Sequence, residues 1–279
     1  MTHLPDAGPS NHLDGVRVAI TGGTSGLGLA LVAELMRRGA RVAFVARTRE
    51  RVDEVARAHP RAFGIVGDVA RKEDIYPIAL QIAGNLGGLD VLINNASSLG
   101  PVPLALLADT ECEELELALA TNVLGPFRLT RALLGALTAS AREGRRSVVL
   151  NVSSDAAVNA YPQWGAYGAS KAALRHMTRI WDEELAVEGV RFLSLDPGDM
   201  DTPLHALAVP DSDPTTLKRP ESAAREIADA IAAAVTGSGA DTRVGPDTEG
   251  VASASGAEPA AGVAGADPRV RPGFAESRA

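Results

Sequence analysis

Short apolar runs alternate along the chain with longer amphipathic segments. The runs at 16–20, 41–45, 62–66, 90–93, 147–152 and 190–195 are compact and rich in Val, Ile and Leu, which predicts buried strands. Between them apolar side chains recur at helical spacing, as with Leu31, Leu35 and Met36 in 29–38, Ile75, Ile78, Ile82 and Leu86 in 74–86, and Ile227 and Ile231 in 221–235. Segments 49–58 and 166–188 also read as helices, and 111–121 with 125–139 as two helices or one long bent one, with Asn122 between. Gly39 closes the first helix, and Pro77 is tolerated because it falls in the first turn of its own. Strands and helices taken in turn predict an α/β fold.

Length sets how many domains this makes. The 279 residues, 46% hydrophobic and 22% charged, suit one large domain over 15–244 with tails. A polar arm at 1–14, holding His3 and His12, reads as flexible. A weak last strand is expected at 241–244, and 245–279, rich in Ala, Gly, Pro and Ser without period, reads as a disordered tail. The net charge of -8 and the lack of a Lys/Arg run argue against nucleic acid or an anionic membrane as partner. No stretch reaches the roughly 18 apolar residues of a membrane span, and the start lacks a basic segment followed by an apolar one, so the expected location is the cytoplasm. Cys112 is the one cysteine, which excludes an internal disulfide and reads as a bystander. No clustering of His, Cys and carboxylates suggests a metal.

Three stretches carry candidate chemistry. Thr21-Gly22-Gly23-Thr24-Ser25-Gly26-Leu27-Gly28 lies between a strand and a helix, where bare backbone lets a dinucleotide pyrophosphate approach the helix N-terminus. Its spacing is Gly-x-x-x-Gly-x-Gly rather than Gly-x-Gly-x-x-Gly. The second strand ends in Ala46-Arg47, where an acid would bind the ribose hydroxyls of NAD. Alanine removes the repulsion of a 2′-phosphate and Arg47 can pair with it, so the expected cofactor is NADP(H); the alternative is an Arg47 that points to solvent. Tyr167 and Lys171, four apart at the head of a helix, share one face, and an ammonium about 4 Å from a phenol would lower its pKa. Ser154 arrives at a strand end thirteen residues before Tyr167, with Ser153 as the less favoured neighbour.

Together these residues resemble the short-chain dehydrogenase/reductase family over about 15–235, where serine, tyrosine and lysine have this order and spacing. The resemblance implies a doubly wound, mostly parallel sheet (a Rossmann fold) with helices on both faces. It implies catalytic roles for Asn122, Ser154, Tyr167 and Lys171 in hydride transfer between nicotinamide and a carbonyl or secondary alcohol. Tyr167 would exchange the proton, Ser154 would bind the same oxygen, Lys171 would hold the ribose and lower the tyrosine pKa, and Asn122 would hold a water linking Lys171 to solvent. Around the cofactor it implies Thr21, Gly22, Thr24, Ser25, Gly26, Leu27, Gly28 and Arg47. Asp68 and Val69 would meet the adenine, Asn94 and Ala96 the adenosine side, and Pro197, Gly198 and Thr202 the nicotinamide. Asp68 could instead cap a helix, and Asn122 could satisfy its own backbone. Ser97 departs from the family's Asn-Asn-Ala-Gly. The Pro- and Asp-rich 203–220 suits a substrate lid, and Val158, Tyr161, Trp164, Met200, His205 and Leu207 are expected to line an apolar substrate pocket. Family members assemble as dimers or tetramers through the helices holding Asn122 and Tyr167, so a homodimer or homotetramer is expected. Two other readings are a non-catalytic NADP(H) sensor, which has no need of a poised phenol, and a ketoreductase for carrier-tethered acyl groups, which would want a basic docking patch.

Overall fold

The computed structural model describes residues 13–237. Six strands, β1 (Arg17–Thr21), β2 (Arg41–Ala46), β3 (Phe63–Val66), β4 (Val91–Asn94), β5 (Ser147–Val152) and β6 (Val190–Leu195), form one parallel sheet in the order β3-β2-β1-β4-β5-β6. The helices are α1 (Gly26–Arg37), α2 (Arg49–Ala58), α3 (Ile75–Leu86), α4 (Cys112–Leu119), α5 (Gly125–Arg142), α6 (Gly165–Leu185), α7 (Pro203–Ala208) and α8 (Pro220–Thr236).

Every residue of β4 and β5 is buried, because helices cover both faces of the sheet. Side chains alternate along a strand, so each strand feeds two cores. Val18, Ile20, Phe44 and Ile93 pack with Leu31 and Leu35 of α1 and Ile227 and Ile231 of α8. Ala19, Val45, Leu92 and Val149 pack on the other face with Ile78 and Ile82 of α3 and Leu129 and Leu133 of α5. The chain winds outward from β1 to β3, then returns to lay β4 beside β1. At that reversal the loops after β1 and β4 part and leave a crevice at the carboxyl ends of the strands, where α/β sheets bind ligands.

At the opposite end Arg17 and Asp90 tie the two central strands together, with Nη2 2.7 Å from Oδ1 and the Arg17 amide donating to Asp90 Oδ2 at 2.8 Å.

Several boundaries differ from the sequence expectation. Leu13, assigned to the flexible arm, is fully buried in the core under α1 and α8, because one large apolar side chain suffices to hold the chain there. The first helix begins at Gly26 rather than 29, since the glycines are its first turn. Segments 111–121 and 125–139 are α4 and α5 joined by a π-helical turn, Ala120–Leu124, which holds Asn122. Within the expected lid lies a helix, α7, capped by the Thr202 side chain, which accepts from the His205 amide at 3.2 Å, with Pro203 in its first turn. The arm before residue 13, the strand expected at 241–244 and the tail at 245–279 lie outside the described residues. Among the described residues no helix is long and apolar enough to cross a membrane, and no group of His, Cys, Asp or Glu could hold a metal ion.

Candidate active site

The turn from β1 into α1 closes on itself so tightly that side chains are excluded. A Cβ on Gly28 would stand 2.0 Å from the Gly22 carbonyl oxygen and 2.6 Å from Asn95 Nδ2, and Gly22 and Gly26 have φ of 72° and 47°, the left-handed region that glycine enters freely. Ser25 occupies the N-cap of α1 without a side-chain capping bond, so the first-turn N–H groups are left to a ligand. Asn95, which sequence reasoning passed over, braces the turn. Its Nδ2 donates to the carbonyls of Thr21 at 2.9 Å and Gly22 at 3.3 Å. Thr21 answers by accepting the amides of Asn95 and Ala96 at 3.0 and 3.1 Å. Thr21 is therefore a buried strut between β1 and β4 rather than part of the cavity wall.

A cavity of about 570 Å³ opens over this turn, within the roughly 300–1,000 Å³ typical of cofactor and small-molecule sites. Gly22, Thr24, Ser25, Gly26, Leu27, Gly28, Arg47, Asp68, Val69, Ala96, Ser154, Tyr167, Lys171, Pro197, Gly198 and Thr202 all line it. At one end stand Ala46, Arg47, Thr48 and Arg51. Arg51, which was not singled out in the sequence, comes from the first turn of α2. Asp68 accepts the Ala70 amide at 2.9 Å in a local turn and still reaches the wall. Asn94 does not: its buried Nδ2 donates to Asn151 Oδ1 at 2.8 Å, and Asn151 donates to Thr178 Oγ1 at 2.8 Å. Asn94 thus ties β4 to β5 and α6 below the cavity floor.

At the other end β5 delivers Ser153 and Ser154, and α6 delivers Tyr167 and Lys171. Ser154 shares the cavity wall with Tyr167; its Oγ accepts the Ala156 amide at 3.2 Å and donates to Asp155 Oδ1 at 3.1 Å. Lys171 Nζ donates to the Val152 carbonyl at 2.8 Å and lies 5.5 Å from the tyrosine ring centroid. The largest influence on the Tyr167 phenol is its burial. Burial pushes Tyr167 up to about 12, with Asp196 and Asp155 adding to the rise and the Ser154 and Ser97 hydroxyls pulling against it. Burial likewise lowers Lys171 to about 8, opposed by Asp196. With the phenol so desolvated, its protonated form dominates at neutral pH.

Asn122 is 1% exposed and does not line the cavity. Its Nδ2 donates to the Ser98 carbonyl and to Ser170 Oγ, both at 2.8 Å, and its Oδ1 accepts the Ser98 amide at 2.8 Å and the Ser97 hydroxyl at 3.2 Å. All four hydrogen-bonding positions of the carboxamide are used, so its side chain has nothing left for a water. Of the expected substrate-pocket residues, Trp164, Met200, His205 and Leu207 line the cavity, joined by Leu99 and Leu204. Tyr161 and Val158 do not: Val158 faces solvent, and the Tyr161 hydroxyl donates to Asp155 Oδ2 at 2.7 Å. Trp164 meets Tyr167 edge to face at 5.7 Å and packs with Leu204 of α7.

This geometry has parallels in known proteins. The short chain dehydrogenase family profile matches residues 17–213. The chain belongs to that family. Family members similar to it include the 2-(R)-hydroxypropyl-CoM dehydrogenase of Xanthobacter autotrophicus, 33% identical over 67% of this chain and 76% of that one. A 3-ketoacyl-(acyl-carrier-protein) reductase from Brucella melitensis, solved with NADH, superimposes with a TM-score of 0.72 and 28% identity over 77% of this chain and 90% of that one. A family member from Shigella flexneri, solved with NADP, gives 0.73 and 26% identity over 84% and 95%. As a short-chain dehydrogenase the protein is an oxidoreductase, and its relatives' complexes support a nicotinamide cofactor.

Proposed function

We propose that the protein is an NADP(H)-dependent enzyme that interconverts a carbonyl and a secondary alcohol on a small, largely apolar substrate. The observation that carries this is the meeting of Ser154, Tyr167 and Lys171 on one wall of the cavity that begins at the glycine turn. The residues fit the cofactor: a first helical turn with unspent N–H groups for the pyrophosphate, Asp68 and Val69 for the adenine, and Arg47, Thr48 and Arg51 for a 2′-phosphate. When bound, the nicotinamide supplies or accepts the hydride. Tyr167, protonated at neutral pH, gives its proton to the substrate oxygen in reduction. Ser154 holds that oxygen, and the Lys171 ammonium keeps the local potential favourable to negative charge. Trp164, Leu204 and Leu207 exclude water above them. Apolar side chains exposed on α4, the π turn and α6, namely Leu117, Leu124 and Ile180, support assembly of two or four copies through those helices.

The test is Tyr167→Phe, assayed by NADPH absorbance against a panel of ketones and aldehydes. Turnover should fall by about three orders of magnitude or more, while NADPH affinity stays within about twofold, because the phenol acts in the transition state. Near-normal turnover would sink the proposal.

A further inference from the structure

The apolar wall of the cavity does not stop at its mouth. Leu99, Ala156 and Tyr167 form a small buried cluster, and Leu104, Trp164, Leu204 and Ala208 pack against it. Trp164, Leu204 and Ala208 line the cavity together with Leu207, which is 52% exposed and so stands where the lining meets solvent. Leu107 carries the same surface outward. Gly165, the residue after Trp164 and the first of α6, lies so close beneath it that a Cβ there would stand 2.3 Å from Leu107 Cγ. Leu107 is nevertheless 64% exposed. The segments after β4, β5 and β6 thus each contribute apolar side chains to one lip. Large apolar side chains left in water at the rim of a site mark a surface that a ligand covers.

Resting on the reading of the protein as a carbonyl–alcohol oxidoreductase, we propose that its substrate carries an alkyl chain long enough to leave the cavity, and that Leu107 and Leu207 seat the outer end of that chain. The carbonyl end has to reach Ser154 and Tyr167 on the cavity wall. A chain leading outward from that point along the apolar lining ends on the lip, where it and the two leucines shed water together. A second copy of the protein seated on the same lip would close the mouth against substrate. Assembly has apolar side chains elsewhere to use, in Leu117, Leu124 and Ile180.

The test is a series of 2-alkanones from 2-butanone to 2-decanone. It reads kcat/KM at saturating NADPH, or Ki against a working substrate for any member that binds without turnover. Covering a methylene on a half-exposed lip should raise kcat/KM, or lower Ki, by about two- to fourfold per carbon over the longer members. Leu107→Ser should cut the decanone-to-butanone ratio by about fivefold or more, and Leu107→Met should restore it. Because the readout is a ratio within one variant, a general loss of folded protein or of cofactor affinity cancels. A series that is flat beyond 2-hexanone, or a ratio untouched by Leu107→Ser, would overturn the subsite. An untouched ratio with a changed oligomeric state in size-exclusion chromatography would give the lip to a second copy instead. If the subsite fails while Tyr167→Phe loses turnover of the ketone panel, the substrate class alone is wrong; near-normal turnover by Tyr167→Phe would remove the oxidoreductase reading beneath it as well.

Discussion

Replacing Ala46 with Asp and Arg47 with Ala should invert the cofactor preference. Arg47 and Arg51 stand at one end of the cavity beside Thr48, and all three are exposed, so each guanidinium would meet a 2′-phosphate in water-screened surroundings. A charged hydrogen bond there belongs at the low end of its range, about 1–1.5 kcal/mol, or roughly tenfold per arginine. The parent should therefore favour NADPH by about a hundredfold, and Arg47→Ala alone should leave about tenfold, because Arg51 remains. A carboxylate at half-buried position 46 adds repulsion of about 1 kcal/mol per phosphate charge at ~4 Å in water, and hydrogen bonds to a free ribose instead. The double variant should then favour NADH by about ten- to thirtyfold. The assay is kcat/KM for each cofactor with one saturating carbonyl substrate, repeated at rising salt, where the NADPH term should weaken first. Equal use of NADH and NADPH by the parent would refute the reasoning. So would an Arg47→Ala variant with undiminished preference.

Three further outcomes follow from the same geometry. Gly28→Ala drives a Cβ to 2.0 Å from the Gly22 carbonyl oxygen, so it should cost about 1–3 kcal/mol of stability and most NADPH affinity; cofactor fluorescence titration matching the parent would contradict this. Lys171, lowered to about 8 by burial, is charged below that pH and neutral above it, so kcat/KM for reduction should fall as pH rises through about 8, and a profile flat to about pH 10 would rule out a need for its charge. Glu34 is held at about 2, below its ordinary 4.5, by hydrogen bonds from Arg37 and then Arg38. Because Arg37 is half exposed, Glu34→Gln should cost only about 1–2 kcal/mol, present above pH 4.5 and lost as pH falls toward 2. Parallel melting curves for parent and variant across that range would contradict it.

Buried strands proved the most legible elements, because covering both faces of a parallel sheet leaves a continuous apolar run with sharp ends: 147–152 and 190–195 match β5 and β6 residue for residue. Strand order is a different matter, since periodicity records burial but not neighbours, and only the family resemblance implied a doubly wound sheet. The misses have local causes. Proline and aspartate made 203–220 read as an open lid, yet Thr202-Pro203 is an N-cap followed by a first-turn proline, and it starts α7. The polar surroundings of Leu13 hid a core residue, because a composition window averages away one buried side chain.

For the site, the useful distinction is between polar side chains that the protein saturates and those it leaves open to the cavity. Burying a polar group without a partner costs about 1–3 kcal/mol, so a buried side chain whose bonds go to its neighbours contributes to holding the fold. Thr21, Asn94 and Asn122 belong to that group: each matches the family pattern, each is buried, and each spends its bonds on neighbouring backbone or side chains. Asn95 and Ser97, which follow Asn94 in one motif, both line the cavity, Asn95 while also bracing the glycine turn. A motif read along the chain cannot separate the two kinds, because strand alternation and loop direction decide which side chain turns inward and which meets the ligand. Substitution at Asn94 should accordingly register as lost stability before lost affinity, whereas Arg47 should register in KM for NADPH with the melting temperature unmoved. The residues that look alike in sequence thus differ in which measurement they control, and that difference follows from where their hydrogen bonds go.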